Sequence, residues 1–567
     1  MANEEDFDVI VVGSGASGGW AAKEFCEAGL KVLVIERGNP TTHKESYTHE
    51  FVEPWDRAFA GQAIPGEREK EYGPNSIFVS NRNPHFYAKE ADWPYDEDSK
   101  NPFMWARPGA VGGKSLVWGR QVYRWSDLDF EANKKDGYGI DWPIRYKDIA
   151  PWYSYVEKFI GVQGSYENLP QLPDSEFMPA MELNYAEKIV KKGIEDNFKG
   201  RNLIIGRSAN ITEAKPDQDR EACHYRDQCV GGCSFGAYYS SVSVTLPAAA
   251  KTGNLTIQAN AVVSSLEYDP TTKRVTGVRV VHTKTKKVET IRSRIVFLNA
   301  STIGSTQILM NSTSEAMPHG LGGRSGALGH YLMDHTWGTR IQGMVPDTKG
   351  KIERGRRPTG IYVPRYRNIH EVVDTDAHFL RGYNFQGGAK PQGWSQRAAN
   401  TPGFGASLKQ GINTPGSDWV FTIYGFAECL PYKDNKMELS TKIDPYGIPQ
   451  VKFDMEFKEN EFKLVRDMIS EGESMLHTAG LKNIKSTMGE MRPGLGIHEM
   501  GGARMGHSAK TSILNKNNQV HLVPNVYVTD GAFMTSSSCV NPSLTYMAFT
   551  ARAANHAAEQ FKSGKFA

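Results

Sequence analysis

The chain has 567 residues, with 66 Lys and Arg against 64 Asp and Glu and a formal net charge of +2. Apolar residues make up 39% and charged residues 23%, a globular balance that excludes a mainly disordered chain. The near-neutral balance removes any electrostatic case for nucleic acid or an anionic membrane surface. The length suits several domains, or one large α/β unit with an inserted lobe. No apolar run is long enough to span a bilayer, since Val9 to Val12 is broken at once by Gly13. Met1 to Asp8 is acidic and lacks the basic start and long apolar run of an export signal. Six cysteines are too few for a disulfide scaffold, but Cys223, Cys229 and Cys233 crowd together.

In chain order, Phe7 to Val12 is a Val/Ile run that predicts a strand. Gly13-Ser14-Gly15-Ala16-Ser17-Gly18 follows, then a helix over Trp20 to Ala28, a turn at Gly29-Leu30, and a second strand from Lys31 to Ile35 ending at Glu36. Residues 40 to about 105 are rich in Pro, Asn, Tyr and charge and predict a long irregular excursion. A Gly-dense stretch spans Arg107 to Gly119, and a helix is expected over Asp148 to Phe159. Several strands are expected between Leu255 and Val281 and from Val288 to Leu298, with a Lys-rich hairpin between them. A helix over Thr302 to Met310 follows. Residues 330 to 490 predict a second lobe with several strands and a helix near Phe462 to Leu476. The chain closes with a strand from Asn525, Asp530-Gly531, a loop, and a helix from Thr545.

Gly13-x-Gly15-x-x-Gly18 lies between a strand and a helix. The first glycine permits a tight turn, the second lets a pyrophosphate approach the backbone, and the third lets helix and strand pack closely. Glu36 stands at the end of the second strand, where an acidic side chain accepts from ribose hydroxyls. These features predict an adenine dinucleotide without choosing between NAD and FAD. Gly112-Gly113-Lys114-Ser115 supplies more unobstructed N–H groups, and Asn541-Pro542-Ser543-Leu544-Thr545 opens the last helix, whose N-terminus can face an anion or an electron-rich ring edge. A cofactor touched by the first, middle and last parts of a chain is large and permanently held, which favours FAD.

Cys223-x5-Cys229-x3-Cys233 includes Gly231-Gly232, where the backbone can wrap closely. Thiolates select zinc or an iron–sulfur cluster. Zinc would need a fourth ligand, and His224 is directly adjacent to Cys223, a poor geometry for both to reach one ion. Three buried thiols, or a disulfide plus a free thiol, are the alternatives without a metal.

The chain resembles the glucose–methanol–choline (GMC) oxidoreductases over nearly its whole length. The resemblance rests on Gly13-x-Gly15-x-x-Gly18 with Glu36, Gly112-Gly113-x-Ser115, Gly329-His330-Tyr331-Leu332-Met333-Asp334-His335, His498-x-x-Gly501-Gly502-x-x-Met505-Gly506, and Asp530-Gly531 with Asn541-Pro542. One departure is Asn299-Ala300-Ser301, where Ser301 replaces an expected glycine. The resemblance implies an α/β Rossmann-like FAD domain, discontinuous over 1–45, 105–125, 205–330 and 492–567. It also implies an α+β substrate lobe built on an antiparallel sheet over 46–104, 126–204 and 331–491. Cofactor contacts are implied at Gly13, Ser14, Gly15, Ala16, Ser17, Gly18, Glu36, Gly112, Gly113, Ser115, Val262, Asp530, Gly531, Asn541, Pro542 and Thr545. No His stands between Gly112 and Arg120, so the FAD is expected to be non-covalent.

Oxidising an alcohol with a flavin needs a neutral base for the hydroxyl proton, a role that suits His. By family position that base is His498, set in a Gly-rich stretch. Asn541 matches the family's Asn or second His and can donate to the developing alkoxide; capping the last helix is its bland alternative. His507 and His335 are expected to be structural. The cysteine segment resembles that of bacterial membrane-bound sugar dehydrogenases of this family, which implies a [3Fe-4S] cluster on Cys223, Cys229 and Cys233. It further implies a dehydrogenase in the periplasm, exported with a small signal-bearing subunit, passing electrons to a cytochrome c and touching the membrane only through its partners; the acidic start read alone gives a cytoplasmic chain as the alternative. Within that subgroup Arg107 to Trp125 and Asp141-Trp142-Pro143 favour oxidation at C3 of glucosides, with glucose, gluconate and fructose as other substrates. An oxygen-using GMC oxidase, or a flavin-binding electron-transfer subunit without its own alcohol chemistry, are the competing expectations.

Overall fold

The computed structural model describes residues 7–566 except 53–55, 57–65, 98–99, 101, 352, 354, 375–376, 392–400 and 414–417. Parts of the expected excursion over 40–105 and of the second lobe therefore lie outside the described residues. Among the described residues no helix is long and apolar enough to cross a membrane.

Two sheets organise the chain. The first has eight strands. Phe7–Val12 lies between Val32–Ile35 and the long strand Val288–Leu298, parallel to both, with Val12 opposite Ile35 and Leu298. Leu255–Gln258 extends this array beyond Val32–Ile35, and Val523–Val528 extends it beyond Val288–Leu298, again in parallel. Strands buried on both faces need continuous apolar runs rather than alternation, and Val9 to Val12 and Val32 to Ile35 are buried throughout. The first half of Val288–Leu298 instead pairs antiparallel with Arg274–His282, which pairs with Ala261–Asp269. These three strands are the β-rich stretch and hairpin expected from the sequence. Helices Ala16–Glu27 and Ser543–Lys562 pack together beside the sheet.

The parallel strands end together. Val12 leads to Gly13, Ile35 to Glu36, Leu298 to Asn299, and Val528 to Thr529-Asp530. A ligand crevice outside the carboxyl ends of parallel strands is the general consequence of this topology.

The second sheet has six strands in the order Lys482–Thr487, Thr336–Val345, Trp419–Ala427, Tyr383–Lys390, Ile361–Val363, Ile204–Ile205, all antiparallel. Side chains alternate between its faces. Ile341, Phe385, Phe421 and Ile423 share one core with Leu464, Met468 and Met475 of helix Glu459–Thr478. Gln386 and Phe426 reach the active site. The hairpin Lys436–Ile443/Pro449–Asp454 leaves this sheet and meets the excursion, where Phe453 stacks on Phe103 at 4.1 Å. Helix Tyr146–Ile160 packs on the terminal helix Ser543–Lys562, so it supports the dinucleotide side rather than the second sheet.

The Ser301 departure has a structural consequence. Ser301 opens helix Ser301–Asn311 with φ +67, a left-handed conformation that costs an L-residue about 1–2 kcal/mol and costs glycine little. Ser301→Gly is therefore expected to stabilise the protein by up to about 1 kcal/mol, read as a higher urea midpoint with unchanged flavin content. A lower midpoint would show that the hydroxyl outweighs the backbone strain.

Candidate active site

A cavity of about 450 Å³ lies at the carboxyl ends of the parallel strands. Gly13, Ser14, Gly15, Ala16, Ser17, Glu36, Gly113, Ser115, Val262, Asp530, Gly531, Asn541 and His498 all line it. Gly18, Gly112, Pro542 and Thr545 do not. A Cβ on Gly18 would lie 1.9 Å from the carbonyl oxygen of Gly13, so Gly18 serves helix–strand packing, as the motif requires. Gly112 donates its N–H to Ser14 Oγ at 2.8 Å and ties the second glycine segment to the first. Thr545 is bonded to the Tyr153 hydroxyl at 2.7 Å instead, and Ser543 and Tyr546 are the residues of that helix that line the cavity. Pro542 is the N-cap, without a side-chain cap bond, so capping is not what Asn541 does.

The donor and acceptor set fits a dinucleotide. A Cβ on Gly13 would lie 2.3 Å from the Asn299 carbonyl oxygen, whereas one on Gly15 would meet nothing closer than 3.9 Å. Gly15 thus leaves open space where backbone must approach a pyrophosphate. Glu36 accepts from Ser14 N at 3.0 Å, from Ser14 Oγ at 2.6 Å and from Gly38 N at 2.8 Å. The carboxylate braces the loop with part of its capacity and faces the cavity with the rest. Asn299 Oδ1, Asn311 Nδ2, Arg120 Nε and Glu499 Oε1 are buried, belong to lining residues and have no protein partner. Buried polar atoms left this way are costly unless a ligand satisfies them. Ser241, which no motif singles out, donates its hydroxyl to Ser14 O at 2.7 Å and its N–H to Ser115 Oγ at 3.0 Å.

His498 and Asn541 meet at one end of the cavity. Asn541 Nδ2 lies 3.4 Å from His498 Nε2. The loop carrying His498 is held by Asp334, whose carboxylate accepts the N–H groups of Gly494 at 2.8 Å, Gly496 at 3.0 Å and His498 at 3.0 Å. Burial and the nearby Glu499 push the Asp334 carboxyl up to about 7. His335 was expected to be structural, yet its Nδ1 lies 3.0 Å from His498 Nδ1. Burial pushes His335 down to about 4. Lys114 pairs with Glu499. Burial, then His335 and Lys114, hold His498 well below its ordinary value. Gln386, from the second sheet, donates to Asn541 Oδ1 at 2.7 Å. His507 is exposed beside Asp141 and lies outside the site.

Cys223, Cys229 and Cys233 line a separate small pocket of about 20 Å³ with His224, Tyr238 and Arg356. None is in a disulfide. Burial raises the Cys223 thiol to about 11 and also raises that of Cys233. Among the described residues no group of three or more His, Cys, Asp or Glu is placed to hold a metal ion, so the expected cluster on these cysteines finds no support in their arrangement. Zinc with His224 as fourth ligand finds no support in this arrangement. Val230, the neighbour of Cys229, lines the large cavity, and Arg120 lines it too while covering the Tyr238 ring at 5.4 Å. The two pockets thus share a wall.

Fold and cavity together are those of a dinucleotide-dependent oxidoreductase. Family models described as GMC oxidoreductase match residues 7–337 and 431–550. The chain belongs to the GMC oxidoreductase family, which implies FAD and action on CH–OH groups. It is 26% identical to 2-methyl-1,2-propanediol dehydrogenase of Mycolicibacterium austroafricanum, covering 98% of this chain and 95% of the relative. It is 24% identical to the fructose dehydrogenase large subunit of Gluconobacter japonicus, over 100% of both. A crystal structure of pyridoxine 4-oxidase from Mesorbium loti shares the fold, with a TM-score of 0.61 at 14% identity, over 97% of this chain and 98% of that one.

A base must be neutral to accept a proton, and His498 loses its proton well below 6.5. Titration of His498 itself is therefore expected to give the rate of flavin reduction no limb from pH 6.5 upward, so a limb near 7 belongs to the Asp334 carboxyl that holds its loop. Stopped-flow reduction across pH checks this, and a limb at or above pH 7 that persists in Asp334→Asn would contradict it.

Proposed function

We propose that this protein is an FAD-dependent dehydrogenase that oxidises a secondary hydroxyl of a sugar or glycoside, with C3 of glucosides as the favoured position. The observation that carries the alcohol chemistry is the convergence of His498 Nε2 and Asn541 Nδ2 on one point of the cavity wall. A substrate hydroxyl placed there donates its proton to His498 Nε2 and accepts from Asn541 Nδ2, which stabilises alkoxide charge as the C–H bond breaks. Bound non-covalently, FAD supplies the hydride acceptor. The glycine loops at Gly13 and Gly113, with Ser14, Glu36 and Asp530, would hold it; the C–H electron pair would pass with its hydrogen to that acceptor while the hydroxyl proton goes to His498, and the substrate would remain as the carbonyl compound.

Cys223, Cys229 and Cys233 would hold a [3Fe-4S] cluster, which supplies one-electron transfer toward a cytochrome. The wall shared through Val230 and Arg120 supports this route. A small partner subunit, export to the periplasm and membrane attachment only through partners complete this reading; the relative named as a large subunit supports the partner. A second reading, an oxygen-using alcohol oxidase, is favoured by the lack of a gathered metal-holding group among the described residues.

Acid precipitation is expected to release FAD into the supernatant; flavin in the pellet would refute the non-covalent assignment. His498→Ala is expected to keep FAD and to lower turnover by about 10²–10⁴-fold, and near-normal turnover would remove the base assignment. Methyl glucoside, glucose, gluconate and fructose with a dye acceptor test the substrate. Iron and sulfide in anaerobically prepared protein test the cluster. Cys229→Ser is expected to leave flavin reduction intact while cytochrome reduction collapses; equal loss of both in a folded variant would favour the oxidase.

A further inference from the structure

His498 and Asn541 have complementary roles only if the first presents a lone pair and the second an N–H to the same point. Neither role is intrinsic: an imidazole has two neutral tautomers, and a carboxamide can turn over. Two hydrogen-bond chains, starting on adjacent main-chain carbonyls, remove both ambiguities.

The first chain starts at the carbonyl oxygen of Ser538, which contacts His335 Nε2. A carbonyl only accepts, so His335 carries its proton on Nε2. A neutral His335 then offers a lone pair at Nδ1, and His498 Nδ1, 3.0 Å away, must donate to it. The only nitrogen left without a proton on neutral His498 is Nε2, the one facing the cavity. The second chain starts at the carbonyl oxygen of Cys539, which accepts from Asn384 Nδ2. Asn384 Oδ1 accepts from Gln386 Nε2 at 3.5 Å, and Gln386 Nε2 also donates to Asn541 Oδ1 at 2.7 Å. With its oxygen engaged, Asn541 presents Nδ2 to His498. His335 is 1% exposed and Asn384 is 0% exposed, so the bonds that anchor each chain on its carbonyl are shielded from water.

We propose that His335 and Gln386 are positioning residues that fix the proton inventory of the site, His335 by locking His498 as its Nδ1–H tautomer and Gln386 by locking Asn541 as a donor. This rests on the alcohol-oxidising reading above and extends it to residues that do not touch substrate. Burial keeps His335 neutral over the working pH range, as the first chain requires. The charged and titratable groups around His498, namely Asp334, Glu499 and Lys114, act through its main chain or at a distance and leave its Nδ1 to His335.

The test separates this role from simple packing. His335→Asn places an oxygen where Nδ1 was and keeps the acceptor for His498, but loses the reach to Ser538. His335→Gln keeps the reach to Ser538 and loses the acceptor. The proposal expects the Asn variant to reduce flavin within about tenfold of the parent and the Gln variant to fall by about 10²-fold or more, with its acid limb displaced. A role in bracing Ser538 alone gives the reverse order, and that result overturns the proposal. Gln386→Glu, which offers only acceptors, is expected to turn Asn541 over and slow flavin reduction by about tenfold or more; an unchanged rate refutes that half. Histidine-nitrogen NMR of the unsubstituted holoenzyme, assigned with His498→Ala, provides a readout that needs no positioning variant and no substrate. A protonated Nδ1 on His498 is expected, and a protonated Nε2 overturns the assignment. If none of the sugars reduces the flavin while the tautomer is as stated, the substrate reading fails and the proton inventory stands.

Discussion

One buried carboxylate organises the reactive end of this protein. Asp334 sits just before the strand that begins at Thr336 and gathers three main-chain N–H groups from a loop some 160 positions later in the chain. A Cβ on Gly496 would lie 2.4 Å from the His335 carbonyl oxygen and 2.6 Å from Asp334 Oδ1, so the loop closes on the carboxylate with no clearance for a side chain. Ile497, a β-branched residue, is held at φ +55 in the same turn. Such strain persists only where surrounding contacts over-determine it, and it is common beside reacting groups. Here those contacts aim the His498 ring.

The cavity depends on a different constraint. Four parallel strands stop at the same level, and each passes directly into a residue of the cavity wall: Gly13, Glu36, Asn299 and Asp530 through Thr529. Ser14, Gly112, Ser115 and Ser241 then close a hydrogen-bonded ring between the two glycine segments. The ring satisfies the protein's own polar groups, while Asn299, Asn311, Arg120 and Glu499 keep unpaired atoms in the wall.

The second sheet contributes chemistry as well as cover. Its alternation sends Phe385 into the apolar core and Gln386 to Asn541. On the neighbouring strand Phe426 lies 6.0 Å from the His498 ring, with Trp337 4.8 Å beyond it. The cysteine pocket lies on the other side of Val230 and Arg120.

The sequence by itself determined the dinucleotide half and named His498 and Asn541, two side chains that the fold brings within 3.4 Å of each other. Gly13-x-Gly15-x-x-Gly18 between strand and helix, with Glu36 after the next strand, is a local pattern whose spacing already encodes the turn, the helix N-terminus and the acidic side chain. The resemblance then located His498 and Asn541 by position. Ser301 was legible as a departure, and its left-handed φ shows what the expected glycine would have relieved. Tertiary structure alone decided the rest, because those contacts join residues that are distant along the chain. Asn384 and Gln386 are ordinary strand residues until register sets them opposite Phe426 and Tyr424. His335 is one histidine among fifteen until the Asp334 grip brings His498 to it. Thr545 belonged to a motif, but the helix turned it toward Tyr153 and gave its place in the wall to Ser543 and Tyr546. Spacing along a chain specifies what adjacent backbone can do, while the direction of a proton between two side chains is set only where separate elements pack.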